Sequence, residues 1–185
     1  MILPIVAYGD PVLKKVAQEI DSDYPGLQQL IADMFETMYS SKGVGLAAPQ
    51  INKSIRLFII DATPFEDEHP ELKDWKKVFI NPQILEEDGK KWEFNEGCLS
   101  IPGIREDVER KPELILEYED ENFELHEEKF TGVIARVIQH EYDHLEGILF
   151  TDRLTPLKKR LLKGKLNDIS RGIVDVEYKM KFLKR

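Results

Sequence analysis

Cysteine is almost absent from this sequence, because Cys98 is the only one in 185 residues. A single thiol cannot form an intramolecular disulfide, so a disulfide-stabilised domain is excluded and a reducing compartment, the cytoplasm, is expected. The lone side chain then fills space in the core, acts as a nucleophile or binds a metal.

Long hydrophobic runs are also missing. The longest, such as residues 57–60 and 132–135, are far shorter than the roughly 20 residues that a membrane-spanning helix needs. Residues 1–10 place no basic stretch ahead of their apolar ones, which speaks against a secretory signal peptide. Glycine and proline number only 11 and 10, and 42% of the residues are hydrophobic. These features predict one globular domain over residues 1–185, with no membrane partner.

Positive charge is scarce in the middle of the chain and concentrated towards its end. Residues 61–130 hold 22 acidic and 9 basic side chains, whereas residues 151–185 hold 4 acidic and 11 basic ones. A basic tail on a protein of net charge −9 is either a docking surface for nucleic acid or the solvated face of a helix. The charge pattern leaves both interpretations open.

Apolar residues repeat at helical spacing in four segments. The strongest stripe in the first half covers residues 26–40 and ends before Gly43 and Gly45. Each of the other three begins at a capping residue. They are a short helix from Asp10-Pro11 to Ile20, a helix from Thr131 to Gly147, and a helix opening at Thr155-Pro156 with Leu157, Leu161, Leu162 and Leu166 inward.

Runs typical of β-strands occupy the region between these helices. The predicted strands are 55–62, 78–85, 114–118 and 123–130, with a hairpin turn at Asp120-Glu121-Asn122, and alternation over 174–182 predicts a C-terminal strand. The acidic residues 63–74 are interpreted as a surface excursion. The predicted fold is α+β, a single domain with mixed or antiparallel sheets around a central helix and further helices near both termini.

The central predicted helix carries His140, Glu141 and His144 in the pattern HExxH. Side chains four residues apart project from the same helical face, so both imidazoles can reach one metal ion. Glu141 lies beside them, where it can take a proton from an attacking water. Burying these side chains on an apolar helix would cost several kcal/mol without a partner, and a metal would provide one.

A catalytic metal needs a third protein ligand and an open position, whereas a structural zinc site is closed by four ligands. Cys98 is the best candidate, because Gly97 and Pro102 indicate a specific backbone path around it. His69 and His126 lie in acidic segments and are interpreted as surface histidines. A buried, inert cysteine remains the alternative for Cys98.

Small residues form the loop GVGLAAPQ at 43–50, between a predicted helix and a predicted strand. Phosphate-binding loops run in the opposite order, from a strand into a helix, so a nucleotide site is not predicted. Gly45 and the two alanines that follow let another backbone approach, as an extended peptide does at a sheet edge. Gln50 ends the loop with an amide donor.

Together, the three segments resemble the peptide deformylase family, which removes the formyl group from the initiating methionine of new bacterial and organellar proteins. The resemblance rests on GVGLAAPQ (43–50), EGCLS (96–100) and QHEYDH (139–144), in this order. It extends from the N-terminal helix to about Pro156. It implies a metal-dependent hydrolase acting on N-formylmethionyl nascent polypeptides. It favours Fe2+ as the native ion, although a thiolate and two imidazoles also suit Zn2+, Ni2+ and Co2+.

The resemblance also implies roles for individual residues. The expected metal ligands are Cys98, His140 and His144, the expected acid and base is Glu141, and the expected oxyanion donors are the Gln50 amide and the Leu99 N–H. The expected substrate contacts are Gly45 and Arg105 for the peptide backbone or carboxylate, and Val44, Phe94, Val133 and Val137 for the methionine side chain. Two segments depart from the family pattern. The acidic excursion is longer than in the shortest members, and the chain ends in a predicted strand where some members end in a helix. The second departure leaves a ribosome contact through residues 151–185 open, and no DNA partner is expected.

Two other functions use the same residues. A zinc peptidase shares HExxH but usually takes its third ligand downstream, where this chain has no histidine after His144 and only Glu146 and Glu177 as glutamates. A metal-stabilised binding module would need a closed fourth position, for which His126 is the available donor.

Overall fold

Helix α2 (Gly132–Leu145) lies between an antiparallel sheet and a β-hairpin. The computed structural model describes residues 1–183, and its other α-helices are α1 (Leu27–Ser40) and α3 (Pro156–Ser170). The strands are β1 (Ile5–Val6), β2 (Gly45–Ala47), β3 (Leu57–Asp61), β4 (Lys76–Asp88), β5 (Trp92–Cys98), β6 (Ile101–Arg110), β7 (Glu113–Glu119), β8 (Leu125–Thr131) and β9 (Met180–Lys181). No helix among the described residues is long and apolar enough to cross a membrane. The prediction of an α+β fold around the HExxH helix is confirmed.

Five strands form the antiparallel sheet in the order β2-β3-β4-β7-β8, and the last four correspond to the four strands predicted before residue 131. Strand β3 places consecutive side chains on opposite faces. Leu57 and Ile59 pack in the cluster that contains α1, whereas Phe58 and Ile60 pack in the cluster that contains α2. All four are fully buried, and burial of each contributes roughly 1.5–3 kcal/mol. The sheet is therefore held between two helices.

Strands β5 and β6 form a hairpin that ends in a turn between Cys98 and Ile101. These two strands were not predicted from the sequence, because two inward positions are held by Glu96 and Arg110, both buried. The two side chains form an ion pair at 2.8 Å, which compensates for their burial. A buried charge pair thus interrupts the apolar alternation by which a strand is recognised.

The predicted short helix after Asp10 is wrong beyond its first turn. The Asp10 carboxylate does accept from the Val12 N–H, but only a 3-10 turn forms, over Pro11–Lys14. The chain then extends, and the Ala17 N–H donates to the Leu145 carbonyl at 2.8 Å instead of to its own helix. A tertiary hydrogen bond overrides the local helical pattern.

Helix α3 buries a narrower stripe than its leucines suggest. Leu162 and Leu166 face the core as predicted, but the prediction that Leu157 and Leu161 do so was wrong, since they are 63% and 72% exposed. The buried stripe continues to Ile169, three residues after Leu166 and on the same helical face. The first turns of α3 therefore present two leucines to solvent.

The C-terminal segment, residues 171–183, returns to the N-terminal strand. Of the strand predicted over 174–182, only Met180–Lys181 is regular, and it pairs in parallel with Ile5–Val6. Half-buried and exposed side chains nevertheless alternate from Val174 to Phe182, as the sequence pattern indicates. The fold therefore contains one parallel strand pair, β1-β9, besides its antiparallel sheets.

Candidate active site

Three candidate ligand atoms converge where α2 meets the end of β5. His140 and His144 lie one turn apart on α2, and Cys98 is the last residue of β5. The Sγ of Cys98 lies 3.4 Å from Nε2 of His144, and the ligand atoms of the three residues all lie within 4.8 Å of one another. One sulfur and two imidazoles at this spacing fit a divalent transition metal with an open coordination position.

The ring of His140 is oriented by Glu96. Its Nδ1 lies 2.9 Å from Glu96 Oε1 and donates to that carboxylate, which leaves Nε2 free to bind a metal. Burial opposes ionisation of Glu96, but hydrogen bonds from His140 and Arg110 outweigh burial and lower the pKa of Glu96 well below its usual range. The carboxylate therefore stays charged beside the imidazole.

A buried ion network ties α2 to the hairpin. Arg110 donates to Glu96 at 2.8 and 3.0 Å and to Asp143 at 2.8 Å, and Arg153 donates to Asp143 at 2.6 and 2.7 Å. Arg136 also donates to Glu96, at 2.9 Å. None of these residues has a role that was predicted from the sequence. The available signal was that Glu96 and Asp143 lie inside the two motifs that contain the candidate metal ligands.

Glu141 lies on α2 between the two histidines and is only 4% exposed. Its Oε2 has no hydrogen-bond partner among the described residues, and Gly45 of β2 lies against its carboxylate. Burial raises the pKa of Glu141 to about 7. A carboxyl that titrates near neutrality can both accept and return a proton.

The Gln50 side chain adjoins the Cys98 sulfur. Oε1 of Gln50 accepts from the Ala47 N–H at 3.0 Å, and its Nε2 lies 3.4 Å from Cys98 Sγ and 3.2 Å from Ser100 Oγ. Leu99 follows Cys98, and its N–H makes no hydrogen bond to another residue in 1–183. Gln50 and Leu99, the two expected oxyanion donors, thus both adjoin Cys98, one by a side-chain contact and the other as its neighbour in the chain.

A cleft of about 740 Å³ adjoins the site, and Gln50, Cys98, Leu99, His140 and Glu141 are among the residues that line it. It is lined by five of the six expected substrate contacts: Val44, Gly45, Phe94, Arg105 and Val137. Val133 does not line the cleft; it is half-buried and packs against the core between α2 and the sheet. Phe65, from the acidic excursion, does line it, although the excursion was interpreted only as surface.

Arg105 lies at the rim of this cleft, on β6 opposite Gly97 of β5. Its guanidinium donates to Asn95 Oδ1 at 2.7 Å and to the Asn95 carbonyl at 3.1 Å. A Cβ on residue 97 would stand 2.6 Å from Arg105 Nη1, so the arginine lies across the glycine backbone. The side chain is exposed and carries a positive charge at this rim.

Comparison with known proteins identifies the family. A family model described as polypeptide deformylase matches residues 2–160. The chain belongs to the polypeptide deformylase family. Peptide deformylase from Christiangramia forsetii is 61% identical over 98% of this chain and 96% of its own length. The crystal structure of peptide deformylase from Thermus thermophilus has 41% identity and a TM-score of 0.82 over 93% of this chain and 99% of that one. A peptide deformylase from Plasmodium falciparum has 39% identity and a TM-score of 0.81 over 91% of this chain and 95% of that one.

As a polypeptide deformylase, the chain is a metal-dependent hydrolase that removes the formyl group from newly made polypeptides. This replaces the zinc-peptidase and binding-module alternatives. His126, the fourth ligand that a binding module would need, lies on β8 with its Nε2 2.7 Å from Asp120 Oδ2. It is not part of the group formed by Cys98 and the α2 histidines.

Proposed function

We propose that Cys98, His140 and His144 hold one divalent metal ion, and that Glu141 moves the proton while the formyl group of an N-formylmethionyl peptide is hydrolysed. The observation that carries this proposal is the convergence of the three ligand atoms within 4.8 Å, next to a buried carboxyl with an unpartnered oxygen. When bound, the metal would supply a Lewis acid that polarises the formyl carbonyl and makes a water more acidic.

The groups around this site transfer the proton and stabilise the negative charge that develops during hydrolysis. Glu141 accepts a proton from the water that attacks the formyl carbon and returns it to the departing α-amine. Negative charge develops on the formyl oxygen as the carbon becomes tetrahedral, and the Gln50 amide and the Leu99 N–H donate to it. The products are formate and a polypeptide with a free N-terminus.

The substrate backbone is proposed to lie along β2, the edge strand of the five-stranded sheet. An edge strand offers unpaired backbone groups to an extended peptide, and Gly45 begins this strand at the cleft. Val44, Phe94 and Val137 supply apolar walls for an unbranched methionine side chain. Arg105 at the rim is proposed to meet a carbonyl or carboxylate of the downstream peptide.

The native ion is proposed to be Fe2+, as the family resemblance implies. The donor set alone also admits Zn2+, Ni2+ and Co2+, because a thiolate and two imidazoles bind all four. Elemental analysis of protein purified without oxygen, paired with activity after reloading each ion, identifies the metal. Full activity with Zn2+ alone and no iron in the purified protein would contradict the assignment.

The proposed partners are nascent chains, met in the cytoplasm at the ribosome through the basic residues 151–185. Helix α3 exposes Lys159, Arg160, Lys163 and Lys165. Lys158 is half-buried and pairs with Glu106 at 3.5 Å. A cluster of this kind binds RNA phosphates by releasing counterions, which gives the contact a steep dependence on salt.

The experiment that tests the function is formate release from a short N-formylmethionyl peptide by metal-loaded protein kept free of oxygen. Glu141→Gln is expected to retain the metal and lose turnover by about three orders of magnitude or more, because the ligands remain and the proton carrier is gone. Glu127→Gln, which changes an exposed carboxylate on β8, serves as the matched control. Near-normal turnover in metal-replete Glu141→Gln would contradict the role of Glu141, and cleavage of peptide bonds without formate would indicate a peptidase.

A further inference from the structure

The turn after Cys98 is held by both ends of the chain. The Tyr178 hydroxyl donates to the Leu99 carbonyl at 2.7 Å, and the Tyr8 N–H donates to the Ser100 carbonyl at 2.8 Å. Tyr178 lies 79 positions away from Leu99 in sequence, so its contact is purely tertiary. Nothing in the HExxH or EGCLS motifs predicts it.

Tyr178 is itself fixed by the parallel pairing of β1 with β9. The Ile5 N–H donates to the Lys179 carbonyl and the Ala7 N–H to the Lys181 carbonyl, both at 2.9 Å. Lys179, whose carbonyl accepts the first of these bonds, directly follows Tyr178 in the chain. The ring of Tyr178 is half-buried against the same apolar cluster as Leu99, and it lines the cleft. The hydroxyl therefore has a defined position relative to the turn.

We propose that Tyr178 is a positioning residue for deformylation, which acts by holding the Leu99 carbonyl so that the Leu99 N–H faces the developing oxyanion. The inference rests on the proposed function, in which this N–H is an oxyanion donor. Peptide units are planar, so only the two backbone torsions of Leu99 separate its N–H from its carbonyl. A hydrogen bond on the carbonyl restricts those torsions and removes reorganisation from the reaction step.

Tyr178→Phe tests the inference, because it removes the hydroxyl and keeps the ring that packs on the cluster. Loss of one neutral hydrogen bond predicts a fall in kcat of about threefold to tenfold, with KM within about twofold. A peptide phosphonate that mimics the tetrahedral oxyanion is expected to bind more weakly by the same factor as kcat/KM falls. The deformylated product peptide, which has no oxyanion, is expected to bind as it does to the wild type.

Two variants control for general effects. Tyr39→Phe removes a hydroxyl that donates to Asp61 at 2.6 Å outside the cleft, and Lys179→Ala changes an exposed side chain next to Tyr178. Both are expected to leave turnover and phosphonate affinity unchanged, and metal content is measured for every variant.

The outcomes separate this inference from the proposed function. Wild-type protein that releases no formate would overturn the proposed function itself. Active wild type with an equally active Tyr178→Phe would overturn the positioning role alone. Equal losses in phosphonate affinity, product affinity and metal content would show that the hydroxyl only stabilises the segment, which also overturns it.

Discussion

Gly45 of β2 lies so close to Glu141 of α2 that a Cβ added to the glycine would stand 2.5 Å from Oε1 and 2.9 Å from the next two carbons of the glutamate. The φ angle of Gly45 lies outside the left-handed region, so the backbone conformation does not demand glycine here. Space does. The strand along which the substrate is proposed to lie therefore also sets the position of the proposed proton carrier.

Gly45→Ala is expected to fold and to lower kcat/KM for an N-formylmethionyl peptide by about 10- to 100-fold, because the Glu141 carboxyl must move away from its working position. Gly164→Ala is the matched control, since a Cβ there meets nothing within 4 Å and alanine favours helix α3. Kinetics and metal content of both variants decide the outcome. Gly45→Ala with unchanged kcat/KM would show that Glu141 tolerates displacement.

The sequence was most informative where chemistry depends on local spacing. His140 and His144 could be placed on one helical face because four residues make about one turn, and Gln50 and Cys98 could be proposed from the family motifs. Glu96 could not be assigned its role, because its partners Arg110 and Arg136 come from other elements and meet it only in the folded chain. Local patterns carry no information about such tertiary pairs.

The same limit explains the errors in the fold. The stripe after Asp10 has helical spacing, yet Ala17 forms its hydrogen bond with the end of α2. Leu157 and Leu161 look like core residues by type, but both side chains are exposed in the described part of the chain. Strand β5 carries a buried glutamate at an inward position, so its alternation is hidden. Each error occurs where contacts distant in sequence, or their absence, override local preference.

Glu96→Gln is expected to reduce metal affinity by about 10- to 100-fold, because the neutral amide orients the His140 ring less strongly than a carboxylate. It is also expected to lower the free energy of unfolding by about 3–5 kcal/mol, because buried guanidinium groups lose their counter-charge. Metal titration and chemical denaturation measure the two effects. Glu93→Gln, at an exposed position of the same strand, is expected to change neither. Wild-type metal affinity in Glu96→Gln would rule out an orienting role.

Cys98→Ser is expected to fold and to bind metal weakly or with altered selectivity, since a hydroxyl is a harder and far less acidic ligand than a thiol. Metal content after equilibration with Fe2+, Co2+ and Zn2+ measures this. Ser100→Ala, which removes a neighbouring hydroxyl that accepts from Gln50, is the control for a local change that leaves all three ligands in place. If Cys98→Ser holds as much metal as the wild type and is equally active, Cys98 only fills space.

Val137→Trp is expected to reduce kcat/KM for formyl-Met peptides by about tenfold more than for formyl-Ala peptides, because a larger wall blocks a long side chain first. Val137→Ile enlarges the same wall with little risk to folding and is expected to show the same bias, reduced in size. Val133→Ile is the comparison, since Val133 packs in the core and does not line the cleft. Equal losses on both substrates in the Val137 variants would place the methionine pocket elsewhere.

The basic surface of α3 is expected to contribute to ribosome binding and not to chemistry. Replacing five residues with glutamine removes the charge that would release counterions from RNA, so cosedimentation with ribosomes should weaken at low salt. These residues are the exposed Lys159, Arg160, Lys163 and Lys165, together with Lys158, which is half-buried and pairs with Glu106. A control variant removes the same charge from other exposed positions: Lys15, Lys53, Lys73, Lys90 and Lys91. Both variants should release formate from a short free peptide at the wild-type rate. If the α3 variant cosediments like its parent across a salt titration, or if both variants weaken equally, the charge of α3 only keeps the surface solvated.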